Sequence, residues 1–83
     1  MKTLSLSAKS YGVLEKYAIP YETFYWKFML FLEEMSEEIS EVVIKYYDRK
    51  DQQGLIYAEC LDADGHTLRK SDGELAIMGI ALV

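Results

Sequence analysis

The chain has 83 residues, of which 51% are hydrophobic and 13% aromatic, and it carries a formal net charge of −5 at pH 7. This length excludes two domains, so we expect residues 1–83 to form a single domain with an unusually apolar core. The basic residues are interleaved with acids. Such a chain is repelled by phosphate backbones and anionic lipids, which argues against direct nucleic-acid binding.

The cysteine content and the apolar runs indicate where in the cell the protein is expected. Cys60 is the only cysteine, so no intramolecular disulfide can form, and a lone thiol is typical of the reducing cytoplasm. Residues 1–8 lack the continuous apolar region of a secretory signal. The longest apolar runs, 28–32 and 75–83, are at most about half of the roughly 20 residues needed to span a bilayer. We therefore expect a cytoplasmic protein without a membrane segment.

The first periodic pattern lies at residues 10–19, where apolar side chains recur at helical spacing. It predicts a short helix, although Gly12 weakens the first turn. Leu4 and Leu6 alternate with serines instead, which is consistent with a short amino-terminal strand. Pro20 then marks the start of the next helix.

Residues 21–39 carry the strongest helical signal, because apolar side chains recur at three- and four-residue intervals on one face. These residues are Phe24, Phe28, Phe31, Leu32, Met35 and Ile39. Trp26 and Leu30 point roughly the other way. Either they are exposed, or the segment at residues 10–19 packs over them. The pattern predicts one long helix that forms the main wall of the core.

After Ser40 the apolar period changes to two, and strands are predicted at residues 42–47, 55–61, 66–70 and 75–83. A tight hairpin turn at Gly65 separates the middle pair. The predicted fold is α+β, with one long helix packed on a three- to four-stranded antiparallel β-meander and a short amino-terminal helix or strand beside it.

Both faces of this sheet are predicted to be largely apolar. The residues expected to face the helix are Val42, Ile44, Tyr46, Ile56, Ala58, Cys60 and Leu68. The opposite face carries Val43, Tyr47, Leu55, Tyr57 and Leu61 together with half of the last strand. That face is too apolar to be left in water. Its cover is the amino-terminal segment, a second copy of the chain or a partner protein, and we expect a homodimer or a heteromeric contact.

An acidic cluster follows the apolar part of the predicted helix. Its members are Glu33, Glu34, Glu37, Glu38 and Glu41. On one helix these like charges would repel at four-residue spacing and oppose the helix dipole. A locally unfavourable pattern indicates either a function or a solvated face that keeps an apolar protein soluble. In the functional interpretation, Trp26 and Leu30 join the glutamates as a partner-binding surface.

No set of residues indicates catalysis, a metal or a cofactor. The glutamates have no neighbouring histidine, which di-metal helix sites require. Asp62 and Asp64 resemble a calcium loop only in part, because its terminal glutamate is missing. His66 and Cys60 are expected to lie diagonally across a hairpin, with His66 opposite Leu61 and without an orienting group.

The sequence therefore predicts a small acidic protein-binding module without enzymatic activity. We expect an inhibitor of the antitoxin, immunity or phage-encoded counter-defence type, which occupies a basic functional surface of a partner protein. The alternative is a self-associating structural or regulatory subunit, in which the apolar sheet face makes a homodimer and the acids only solubilise it.

Overall fold

The computed structural model describes residues 6–83, which contain two helices and a three-stranded antiparallel sheet of order β1-β2-β3. The elements are α1 (Ala8–Lys16), α2 (Tyr21–Leu32), β1 (Glu41–Tyr47), β2 (Leu55–Leu61) and β3 (Ile77–Leu82). The predicted α+β class and the antiparallel meander are confirmed. No helix in the described part of the chain is long and apolar enough to cross a membrane.

Helix α1 forms where a short helix was predicted, although it begins earlier. The Ser7 side chain caps it by accepting the Ser10 N–H at 3.2 Å, which satisfies a donor that the first turn leaves open. Ser10 is buried, and its hydroxyl accepts the N–H of Ile44 in β1 at 3.1 Å. Leu6 makes a parallel bridge with Val42 on the same strand, while Leu4 lies outside the described residues. Together these contacts hold α1 against the outer edge of β1.

The prediction of one long helix over residues 21–39 is wrong, because α2 ends at Leu32. Tight turns follow the helix, in which the Glu34 N–H donates to the Phe31 carbonyl oxygen and the Met35 N–H donates to the Leu32 carbonyl oxygen. In a continuous helix the Glu34 carbonyl would accept an N–H four residues later. It instead accepts the backbone N–H of Ser71 at 2.9 Å and the Ser71 hydroxyl at 2.8 Å.

The predicted strand at residues 66–70 is also absent, so the sheet has three strands. The segment makes only isolated bridges, from Thr67 to Leu61 and from Arg69 to Leu75. Leu68 bonds to the chain on both sides: its N–H donates to the carbonyl oxygen of Cys60 in β2, and its carbonyl oxygen accepts the N–H of Ala76, the residue before β3. The last strand therefore pairs directly with β2, and it is shorter than the predicted 75–83.

The predicted inward face of the sheet is buried against both helices in one core. Only Tyr46 departs from the prediction, since it is 45% exposed. Its ring lies at the end of β1 and stacks on Tyr17 with centroids 5.5 Å apart. A bulge in β3 leaves Ile80 without a register partner on β2 and turns its side chain into the core.

The opposite face of the sheet, called the open face below, is covered by neither helix and by no other element among residues 6–83. The strand register arranges it in rows of three residues that cross β1, β2 and β3. Three rows are Val43-Glu59-Ile77, Lys45-Tyr57-Gly79 and Tyr47-Leu55-Leu82. Glu41, Leu61 and Thr67 form a fourth row beside them.

Candidate protein-binding site

The outer side of α2 exposes two large apolar side chains next to each other. Trp26 is 70% exposed and Leu30 is 69% exposed, and the two lie one helical turn apart. Glu22 precedes this pair by one turn and Glu33 follows it by three residues, and both are exposed. We call these four residues the α2 surface. The alternative, in which the segment at residues 10–19 packs over Trp26 and Leu30, is wrong.

The orientation of this surface is fixed by the opposite side of the same helix. Phe24 and Phe28 are fully buried, their ring centroids lie 5.3 Å apart, and Phe31 continues the row 5.9 Å beyond Phe28. The Lys27 amino group donates to the carbonyl oxygen of Ile80 in β3 at 3.1 Å. Because α2 is held on the core by this face, it cannot rotate to bury Trp26 without exposing three phenylalanines.

Tyrosine rings extend the α2 surface towards α1. Tyr25 meets the Trp26 ring edge-on at 6.4 Å, Tyr21 lies 5.9 Å from Tyr25, and Tyr11 of α1 lies 5.7 Å from Tyr21. Burial raises the pKa of the Tyr21 phenol from its ordinary value, and the nearby Tyr11 raises it further. Sequence reasoning missed this strip because only the packing of α1 beside α2 brings Tyr11 to it. The helical spacing places Glu22 beside Trp26, although Glu22 was not among the predicted site residues.

The structure separates the predicted acidic cluster into three parts. Glu33 and Glu34 lie in the turn that ends α2, Glu37 and Glu38 lie in the irregular segment after it, and Glu41 is the first residue of β1. All five are exposed. They are therefore not stacked along one helix, and the repulsion expected at four-residue spacing is avoided by ending the helix early. Only Glu33 continues the row of Trp26 and Leu30.

Glu34 differs from the other four glutamates because it takes part in a structural contact. Its carboxylate lies 3.6 Å from the Lys70 amino group, which also lies 3.7 Å from Asp72 and over the Phe31 ring. Its carbonyl oxygen holds Ser71, as described above. Among the described residues, no other member of the cluster has an ion pair within 4.0 Å. Glu34 therefore fixes the turn after the 66–70 segment against the end of α2.

The histidine and the cysteine lie in unlike environments. Cys60 is fully buried in the core, where burial raises the pKa of its thiol to about 11. His66 is exposed, and Thr67 rather than His66 lies opposite Leu61. Because the Cys60 side chain is fully buried and the His66 side chain is exposed, the structure does not bring them together as a nucleophile and its base.

Asp62, Asp64 and His66 place possible ligand atoms within 4.8 Å of one another in the hairpin turn. One carboxylate oxygen of Asp62 is already used, because it accepts the backbone N–H groups of Asp64 and His66 at 2.9 Å each. Gly65 supplies the positive φ of 84° that the turn requires. These contacts account for the acids as parts of a turn.

The chain was compared with known proteins, and no match was found. No protein-family model, curated protein or solved structure matches the chain.

Proposed function

We propose that this chain is a protein-binding module that acts as an inhibitor by covering a basic functional surface of a partner protein. The observation that carries this proposal is the exposure of Trp26 and Leu30, 70% and 69%, side by side on a rigidly held helix. Exposed tryptophan is costly in water and is enriched among the residues that dominate binding energy. These two side chains are the proposed anchors.

The charges around the anchors support a basic partner. Glu22 and Glu33 flank the pair, and the whole chain carries a net charge of −5. Acids at the rim of an apolar contact attract a positive surface during encounter and disfavour neutral or acidic proteins. We therefore propose a partner whose apolar pocket is bordered by lysine or arginine, as in the antitoxin, immunity or counter-defence class. Glu37, Glu38 and Glu41 contribute to the same field from a greater distance.

The test begins with a tagged copy of the chain, which is used to capture proteins from the cells that naturally contain it. The affinity of the captured partner is then measured for two variants of matched chemistry. Trp26→Ala removes an anchor and is expected to weaken binding by at least about 30-fold, which corresponds to about 2 kcal/mol. Tyr47→Ala removes an exposed aromatic ring from the open face, and we expect binding of the same partner to be unchanged.

The electrostatic part of the proposal is tested separately with Glu33→Lys. This reversal is expected to slow association and to lose its effect as salt is added, because exposed charges are screened. A partner that binds Trp26→Ala and Glu33→Lys as tightly as the natural chain would contradict the proposed site. A partner whose contact surface is acidic would contradict the proposed chemistry.

A further inference from the structure

We infer that the open face of the sheet binds a second copy of this chain, so that two sheets pack face to face around a twofold axis. This inference concerns a different surface from the α2 surface and does not rest on the proposed function. It is based on the charge, size and shape of the open face, and on the state of the two sheet edges.

The open face is almost neutral although the chain is acidic. Lys45 and Glu59 are the charged residues in its three rows across β1, β2 and β3, and their side chains pair at 3.4 Å. Glu41 lies at one end of the face, in the fourth row. The second carboxylate oxygen of Glu59 accepts the hydroxyl of Thr67 at 3.1 Å. The positive and negative charges therefore cancel within the three rows across β1, β2 and β3, and among residues 6–83 Glu41 is the unpaired charge at the end of the face. A basic partner would gain little at the centre of this face, whereas a second acidic copy can approach that centre without local repulsion.

The apolar patch on the open face crosses all three strands. Seven apolar side chains occupy its rows: Val43, Tyr47, Leu55, Tyr57, Leu61, Ile77 and Leu82. Leu82 is 55% exposed and Ile77 is 40% exposed, so the patch continues to the outermost strand. Four rows extend about 20 Å along the strands.

The shape of the face is self-complementary near its centre. Tyr57 projects from the middle strand, and its register partner on β3 is Gly79. A Cβ atom built at Gly79 would meet only Leu55, at 3.7 Å, so the space above this glycine is open. Across a twofold axis, the Tyr57 ring of each copy can fill the hollow over Gly79 of the other. Such reciprocal contacts characterise the symmetric interfaces of dimers.

The edges of the sheet are less suitable for self-association. At the β1 edge, Leu6 bridges Val42 and the Ser10 hydroxyl accepts the N–H of Ile44. At the β3 edge, a bulge interrupts the strand and Lys27 donates to the Ile80 carbonyl. Bulges and lysines at an edge disfavour the addition of another strand. Face-to-face packing, with sheets about 10 Å apart, is the arrangement that remains.

The molar mass in solution tests this inference, with two variants that introduce the same side chain. The natural chain is expected to have twice its 9.6 kDa mass by light scattering, and to keep that mass as salt is added because the contact is apolar. Gly79→Lys fills the hollow and is expected to raise the dissociation constant at least about 100-fold. Gly12→Lys is the control: Gly12 is also open at its Cβ position but lies on α1, so the dimer should persist.

Circular dichroism is recorded for each variant. If Gly79→Lys does not fold, Leu82→Lys replaces it, because that side chain is already largely exposed on the same face. A monomeric natural chain at all concentrations would overturn the inference and leave the α2 surface untouched. So would a dimer that survives both Gly79→Lys and Leu82→Lys, because self-association would then use another surface.

Discussion

The two faces of the sheet are similar in composition and opposite in environment. The inner face packs Ile56, Ala58 and Cys60 under two helices, whereas the outer face presents Leu55, Tyr57 and Leu61 from the same strand without any covering element among residues 6–83. An antiparallel sheet with one wet face normally alternates apolar and polar residues. On its outer side strand β2 carries three apolar residues and Glu59, and this surplus of apolar residues is why we propose a contact there.

The largest expected effect is a loss of stability, and it should differ between two adjacent residues whose side chains lie on opposite faces of the sheet. Ile56→Ala is expected to lower the free energy of unfolding by about 2 to 5 kcal/mol, because it leaves a cavity in a fully buried site. Leu55→Ala removes a side chain of the same size from the open face, and at concentrations where the chain is monomeric we expect a loss below about 1 kcal/mol. Urea unfolding of both variants measures the difference. Equal losses would mean that the open face is already part of the core of one chain.

Removal of the edge contact at β1 is expected to have the next largest effect. Ser10→Ala deletes the acceptor of the buried Ile44 N–H and should destabilise the chain by about 1 to 3 kcal/mol. Ser36→Ala, at an exposed position, provides the control and should change stability by less than about 0.5 kcal/mol. Hydrogen exchange of the Ile44 amide gives a second measure. An unchanged exchange rate in Ser10→Ala would show that this amide does not depend on α1.

Alkaline pH probes the inner face through Cys60. Burial raises the pKa of the folded thiol from 9.0 to about 11, so between these values the unfolded chain has released a proton that the folded chain still holds. Stability therefore falls as pH rises across this interval, by at most about 1.4 kcal/mol per pH unit, and this contribution is absent below it. Cys60→Ala should have a shallower alkaline slope in urea unfolding. Identical slopes would mean that the thiol ionises as easily in the folded chain.

The smallest expected effect concerns the charge balance of the open face. In the monomer, a double-mutant cycle on Lys45 and Glu59 should give a coupling of about 0.2 to 1 kcal/mol, because the Lys45 side chain is half exposed. In the dimer, Glu59→Gln should weaken association, since it leaves the Lys45 cation at an apolar contact. Light scattering of this variant checks the second expectation. A dimer of unchanged affinity would show that the pair lies outside the interface.

The sequence predicted the sheet better than it predicted the helices. Alternation along residues 55–61 correctly placed Ile56 and Cys60 inside and Tyr57 outside, because the period of a strand is a local property. The residue at which α2 ends, in contrast, could not be predicted from the local pattern. It coincides with the bond from the Ser71 hydroxyl to the Glu34 carbonyl, which joins residues 37 positions apart.

The exposure of the candidate site residues also depends on tertiary packing. Met35 and Ile39 are at least partly buried, as their spacing suggested, but they occupy an irregular segment rather than a helix. The exposure of Trp26 depended on where α1 lies, which no pattern in residues 10–19 specifies. The sequence could therefore name Trp26 and Leu30 as candidates, and the packing of α1 against β1 made them a surface.

We propose that the two apolar surfaces have separate occupants, a second copy on the sheet and a basic partner on α2. Trp26 is the only tryptophan, so its fluorescence reports on the α2 surface alone. Acrylamide quenching is measured at concentrations where light scattering gives the monomer and where it gives the dimer. We expect the same strong quenching in both states, because Trp26 lies on the outer side of α2, whose inner side packs on the opposite face of the sheet. Quenching that falls as the dimer forms would contradict it, because Trp26 would then lie in the contact between the two copies.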